Sequence, residues 1–350
     1  MSIHTPVCDL LGIEYPVLLA GMGGVSFAEL CAAVSNAGGF GTLGMVGRSM
    51  HEIRDEMQKV RDLTDKSFGV DLLAAVPESL ERAVDIIIEG GAKAFISGLG
   101  VPPKHIVDRF HAAGLKVMSV SGTVRHAKAA EEGGLDAVIA QGTEAGGHTG
   151  KIAGLALVPQ VVDAVDIPVI AAGSIVDGRG LAASLALGAQ GVWMGTRFIA
   201  APESHASQTY RDVIVGAGDE DTIITRCYTG KPLRVLKNDY VADWERRPQD
   251  IKPFPMQAMM SHQSGVLGDL SGAPENVDRE RSAFAMGQGA GAIRDVKPAG
   301  QIVREVVAEA EEIIGRMARL AQGNARRTSP PQGGQAQPRR TTRSRFLTRD

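Results

Sequence analysis

Between Tyr15 and Ala200 one pattern recurs: a short apolar run, a glycine-containing loop, then an amphipathic stretch. The runs are Pro16–Ala20, Phe40–Leu43, Phe68–Leu73, Ala94–Ser97, Lys116–Val120, Ala137–Ala140, Val169–Ala172 and Gly191–Met194. They are too short and too uniformly apolar for strands with one wet face, and buried parallel strands read this way. Eight such runs alternating with helices favour a closed α/β barrel, the (β/α)8 or TIM type, over an open sheet.

The intervening stretches have helical spacing. Phe27, Leu30, Cys31 and Val34 follow i, i+3, i+4, i+7, with Ser26 and Glu29 placed as a capping box and Asn36-Ala37-Gly38-Gly39 as the stop. Leu181, Leu185 and Gly188 repeat the arrangement. Beyond Pro202 the pattern ends. Residues 205–298 hold several prolines, Trp244 and an irregular Met-rich segment, and read as a smaller, mainly helical lobe over the mouth of a barrel formed by residues 1–204. Order returns at 299–321, where Ile302, Val303, Val306, Val307, Ala310, Ile313, Ile314 and Met317 make one stripe, as in a last helix packing back on the barrel.

Residues 322–350 are rich in Gly, Pro, Gln, Ser, Thr and Arg, and are expected to form a disordered basic tail. The seven arginines from Gly323 onward conceal an acidic body: without them and Asp350, 30 basic and 39 acidic residues remain, a net charge of −9 against −3 for the whole chain. That balance gives no support to a nucleic-acid-binding body. No apolar run approaches a membrane span, and the N-terminus lacks the features of a signal peptide. Three widely spaced cysteines, Cys8, Cys31 and Cys227, make no metal or redox motif and point to the reducing cytoplasm. The 43 glycines, about an eighth of the chain, suggest binding sites built from loops.

In such a barrel the chemistry lies in the loops after the strands. Ala20-Gly21-Met22-Gly23-Gly24 follows the first run, and its glycines let the backbone approach a flat ligand. Gln141-Gly142-Thr143-Glu144-Ala145-Gly146-Gly147-His148-Thr149-Gly150 follows the sixth. His148 there has an ordinary pKa near 6.5, suited to proton transfer near neutral pH, while Glu144 is assigned a structural role. Gly173 and Ser174 follow the seventh run and Gly195 and Thr196 the eighth, the places where these barrels hold a phosphate. Arg197 is read as an ion-pair partner of Asp177 or Glu203.

The segments LLAGMGG, FGVDLL, AQGTEAGGHTGK, LVPQVVDAVDIPVIAAGSIVDGRG and LALGAQGVWMGTRF resemble the nitronate monooxygenase (2-nitropropane dioxygenase) family. They are also similar to its relatives, the FMN-dependent enoyl-acyl-carrier-protein reductases and NADH:quinone reductases. The resemblance runs closely from about Pro6 to Ser204 and is absent from the basic tail. It implies non-covalently bound FMN. Gly21, Met22 and Gly23 would line the flavin, Gly146 and Gly147 would lie beside its ring or ribityl chain, and Gly173, Ser174, Gly195 and Thr196 would hold its phosphate. His148 matches the active-site histidine. The family usually carries Asn where this chain has Asp71, also a candidate flavin contact, and many relatives carry Lys or another polar residue at Val120. An ionised carboxylate accepts hydrogen bonds but donates none, so Asp71 counts against an anionic nitronate.

The leading expectation is oxidation of alkyl nitronates with O2, His148 acting as acid/base and no metal being required. The alternative is an NAD(P)H-dependent FMN reductase acting on an enoyl thioester or a quinone, with the nicotinamide using the open mouth because no GxGxxG unit is present. A non-redox barrel for a sugar phosphate or nucleotide is a third class. Its IMP dehydrogenase-like form needs a nucleophilic cysteine in a barrel loop, and the three cysteines do not fit. The expected partners are small molecules, with no nucleic acid or membrane, and a homodimer is compatible with the sequence.

Overall fold

Eight parallel strands lie where the apolar runs place them: β1 (Val17–Leu19), β2 (Gly41–Gly44), β3 (Phe68–Leu73), β4 (Ala94–Gly98), β5 (Lys116–Ser121), β6 (Ala137–Gln141), β8 (Val169–Ala172) and β9 (Gly191–Met194). They form one sheet in the order β1-β9-β8-β6-β5-β4-β3-β2. A parallel bridge between Leu18 and Phe40 returns β2 to β1 and closes the barrel. The β7 strand (Gly147–His148) is a two-residue segment inside the loop after β6. The structure is a computed structural model that describes residues 3–74, 77–272 and 274–321. The expected disordered tail, 322–350, lies outside the described residues.

Alternation along the strands sorts the core into two layers. Leu18, Phe40, Ile96, Met118, Ile139 and Trp193 belong to the cluster inside the barrel, and Val7 and Leu11 of the short helix Pro6–Leu11 join it. Outward residues such as Val70, Phe95 and Val117 pack on the surrounding helices. Every strand is therefore buried on both faces, which is why its sequence shows no polar alternation.

Several local expectations change. The helix at Ala28–Asn36 starts after Phe27, and Ser26 does not cap it. The Ser26 hydroxyl instead accepts from the Met22 amide at 2.8 Å, and the freed Ala28 amide donates to Glu56 Oε2 at 2.9 Å. A carboxylate from the next helix thus replaces the local box. The last helix spans Ala299–Ala321 as read, but burial along its stripe ends with Ile313, and Ile314 and Met317 are exposed. Arg197 pairs with neither Asp177 nor Glu203: its Nη2 meets Asp295 Oδ1 at 2.9 Å. Asp177 is taken by Arg179, and Glu203 accepts the Ala299 amide at the start of the last helix.

The segment 205–298 carries the helices Gln208–Gly216, Asp239–Glu245 and Met256–Gln263. It also contributes an antiparallel pair, β10 (Thr222–Thr225) and β11 (Leu233–Leu236). The β11 strand then pairs with β7, Leu233 opposite His148 and Arg234 opposite Gly147. This small sheet lies outside the βα pattern and joins the added segment to the histidine loop.

Candidate active site

The loop after β6 is held from several sides. Within it, Thr143 Oγ1 donates to the Gly150 carbonyl at 2.9 Å and Thr149 Oγ1 to the Gly142 carbonyl at 3.1 Å. Glu144 takes the structural part assigned to it: both carboxylate oxygens accept the Gly154 amide, at 3.0 and 3.1 Å, where the helix Gly154–Val162 begins. A negative charge at a helix N-terminus is favourable there. From β11, buried Arg234 directs Nε and Nη2 to the Thr143 carbonyl at 3.1 and 3.0 Å, and Nη1 to Thr222 Oγ1 at 3.0 Å.

These contacts fix His148. Gln141 Nε2, from the end of β6, donates to its carbonyl at 2.7 Å. Its ring Nε2 lies 3.0 Å from Thr229 Oγ1. Thr229 also accepts the Lys231 amide at 3.3 Å, and its hydroxyl lies 3.3 Å from the Lys231 carbonyl. Burial, with Lys231 nearby, pulls the imidazole pKa from 6.5 down to about 4. The ring is neutral at pH 7.

Two further turns complete the site. Ser174 follows β8 with φ 52°, a left-handed conformation that costs a non-glycine residue of order 1–3 kcal/mol. The surroundings hold it there. Ser174 Oγ donates to the Glu144 carbonyl at 2.9 Å and accepts the Gly289 amide at 2.8 Å. After β9, Thr196 Oγ1 accepts the Gly287 amide at 3.0 Å. The Gln288 amide in turn donates to the Glu144 carbonyl at 3.0 Å. Residues 287–289 therefore form a strap that latches three barrel loops together.

All eleven residues singled out from the sequence line one cavity at the C-terminal end of the strands: Gly21, Met22, Gly23, Asp71, Gly146, Gly147, His148, Gly173, Ser174, Gly195 and Thr196. Its volume is about 350 Å³, within the range of small-molecule sites. Met22, Val46, Val120, Trp193 and Leu233 make much of the wall apolar. Backbone approach is close. A Cβ on Gly146 would sit 2.6 Å from the Met286 carbonyl carbon, and one on Gly21 would sit 2.2 Å from the Asp71 Cβ. Asp71 itself is buried, and burial pushes its carboxyl well above the usual range. The cysteines are buried and free, and none lines the cavity.

Sequence reasoning missed Gln141 as an anchor, Thr229, Arg234 and the strap. The strap had a signal, since Gly287-Gln288-Gly289-Ala290-Gly291 places three glycines in five residues. Thr229 had none.

A TIM barrel whose mouth joins a glycine-bearing histidine loop to two turns after its last strands defines a barrel enzyme for a small ligand. The comparisons narrow the class. The nitronate monooxygenase family pattern matches residues 4–309. A probable nitronate monooxygenase of Staphylococcus saprophyticus is 35% identical over 307 residues, covering 75% of this chain and 86% of that protein. Among solved structures, FabK from Thermotoga maritima is similar with TM-score 0.82 and 36% identity, covering 91% of this chain and all (100%) of that one. Nitroalkane oxidase from Streptomyces ansochromogenes follows with TM-score 0.80 and 30% identity, covering 89% and 99%. The chain belongs to the nitronate monooxygenase family and is an oxidoreductase.

Proposed function

We propose that the chain binds FMN at the barrel mouth and oxidises alkyl nitronates with O2, His148 serving as acid and base. The supporting observation is convergence: the histidine loop and the turns after β8 and β9 meet in one largely apolar cavity. The residues fit such a cofactor. Apolar walls suit a ring, and Gly21 and Gly146 leave no room for side chains where the backbone must come close. Thr196 Oγ1 accepts the Gly287 amide, and no acceptor among the described residues takes its own proton. That hydroxyl and the amides near Gly173 and Gly195 are the donors for a phosphate.

Bound FMN would supply two-electron chemistry and reoxidation by O2, while the protein supplies position and electrostatics. His148 is neutral, so it can accept a proton without first losing one. Thr229 orients the ring through Nε2 and Gln141 fixes its backbone. Lys231 adds positive charge beside the imidazole, and an anionic nitronate would be drawn to that charge. Three buried free thiols suit a cytoplasmic location.

Anaerobic addition of a nitronate to the yellow protein should bleach the flavin, and a spectrum unchanged at millimolar substrate rejects the reading. The similarity to Thermotoga FabK, at 36% identity, supports a second reading, an NAD(P)H-dependent reductase of an enoyl thioester or quinone. Bleaching by NADH or NADPH, with none by nitronate, selects it.

A further inference from the structure

Asp71 is a buried acid that the scheme above does not use. It stands in the inward-facing row of β3 beside Leu73, is 6% exposed and lines the cavity. The backbone at Gly98 adjoins its carboxyl and favours the charged form. Oδ2 lies against Gly21, 2.5 Å from where a Cβ on that glycine would be. Among the described residues no cation pairs with the carboxyl and no side chain hydrogen-bonds to it. The other ionisable groups lining the cavity are His148 and Tyr210; the Tyr210 hydroxyl donates to the Ala285 carbonyl at 2.6 Å. The facing loop Ala20–Gly24 and the neighbouring strand ends at Gly44 and Gly98 carry no charged side chain.

An ionised carboxylate in that setting would be buried with the Gly98 backbone beside it and no counter-ion. Such a charge is expensive, and the group takes up a proton instead. Once protonated, the carboxyl holds an O–H, and among the described residues no side chain is bonded to it as an acceptor. The adjacent free volume is the cavity.

We propose that Asp71 is held as the neutral carboxylic acid and donates its proton, as a hydrogen bond, to an electron-rich acceptor atom of the ring-shaped ligand in the barrel mouth. Asp71 then acts as a carboxamide N–H would, able to donate and accept. The objection that it repels an anionic ligand falls away. With its lining acid and imidazole both uncharged, the cavity wall itself selects through hydrogen bonds and shape, and the positive charge comes from Lys231 outside the lining. The ligand part of this inference rests on the flavin reading.

The test combines infrared spectroscopy with FMN titration of the full chain. At neutral pH the wild-type protein without ligand should show the C=O stretch of a protonated carboxylic acid that Asp71→Asn lacks, and added FMN should shift that band. Asp71→Asn should bind FMN within about twofold of wild type, and Asp71→Ala about tenfold more weakly, as expected for one lost hydrogen bond. FMN uptake without the difference band overturns the inference and spares the flavin reading. Uptake with the band unshifted, or with Asp71→Ala binding as wild type, overturns the donor role. Failure of the wild type to take up FMN overturns the donor role together with the flavin reading, while the band still decides the protonation state. The band needs only wild type and Asp71→Asn, so misfolding of Asp71→Ala does not block the decision.

Discussion

Replacing Arg234 tests whether the added segment positions the histidine or merely covers it. Its guanidinium serves two acceptors, the Thr143 carbonyl through two nitrogens and Thr222 Oγ1 through a third. Arg234→Met strips all three bonds and leaves two acceptors unserved at a buried position. Hydrogen bonds to charged groups contribute about 1.5–3 kcal/mol, so counted per acceptor the loss should be about 3–6 kcal/mol. Arg234→Lys keeps the charge but reaches one acceptor, since an ammonium lacks the planar fork, and should lose about half as much. Urea unfolding at constant slope measures this. The site should respond as well, because Arg234 pairs with Gly147 one residue before His148. FMN affinity and turnover should fall in both variants, more in Met than in Lys. Unfolding midpoints and FMN affinity equal to wild type in Arg234→Met would refute the argument that this contact sets the loop.

The depressed His148 pKa has a pH signature. A folded pKa lowered from 6.5 to about 4 leaves the imidazole neutral in both states above pH 6.5; stability is then full, and ~3 kcal/mol is lost as the pH falls towards 4. Asn at position 148 should flatten that part of the acid limb in pH-dependent urea titrations, retain flavin and lose most turnover, and unchanged turnover removes His148 from the chemistry. Gly146→Ala puts a methyl group 2.6 Å from the Met286 backbone, an overpacking cost of about 1–3 kcal/mol, and should weaken FMN binding; thermal denaturation and equilibrium dialysis read the two effects. Ser174→Ala removes both hydroxyl bonds, to Glu144 and to the strap at Gly289, while keeping the strained φ of 52° and should destabilise by about 1–3 kcal/mol. Ser174→Gly relieves the strain and should lose less, so equal losses in the two variants would show that the strain is not stored there.

The barrel was legible because its evidence is local. A strand buried on both faces reads as a near-continuous apolar run, and all eight runs meet their strands to within a residue or two. The cavity residues were legible for a related reason. Loops at the C-terminal ends of barrel strands converge whatever their length, so a histidine after the sixth run and glycines after the first, seventh and eighth had to face one another. Local rules failed where a distant group took over a local task, as when Glu56 replaced Ser26 at a helix start and Asp295 claimed Arg197.

The partners of the site were decided in three dimensions. Thr229 reaches His148 across 81 positions, Arg234 reaches Thr143 across 91, and Gly289 reaches Ser174 across 115. Hydrogen-bond geometry is set within tenths of an ångström, and no spacing in the chain encodes such distances. The protonation states were likewise out of reach. A carboxyl at position 71 reads as a charge, yet its state follows from desolvation, which depends on what the whole barrel packs around it.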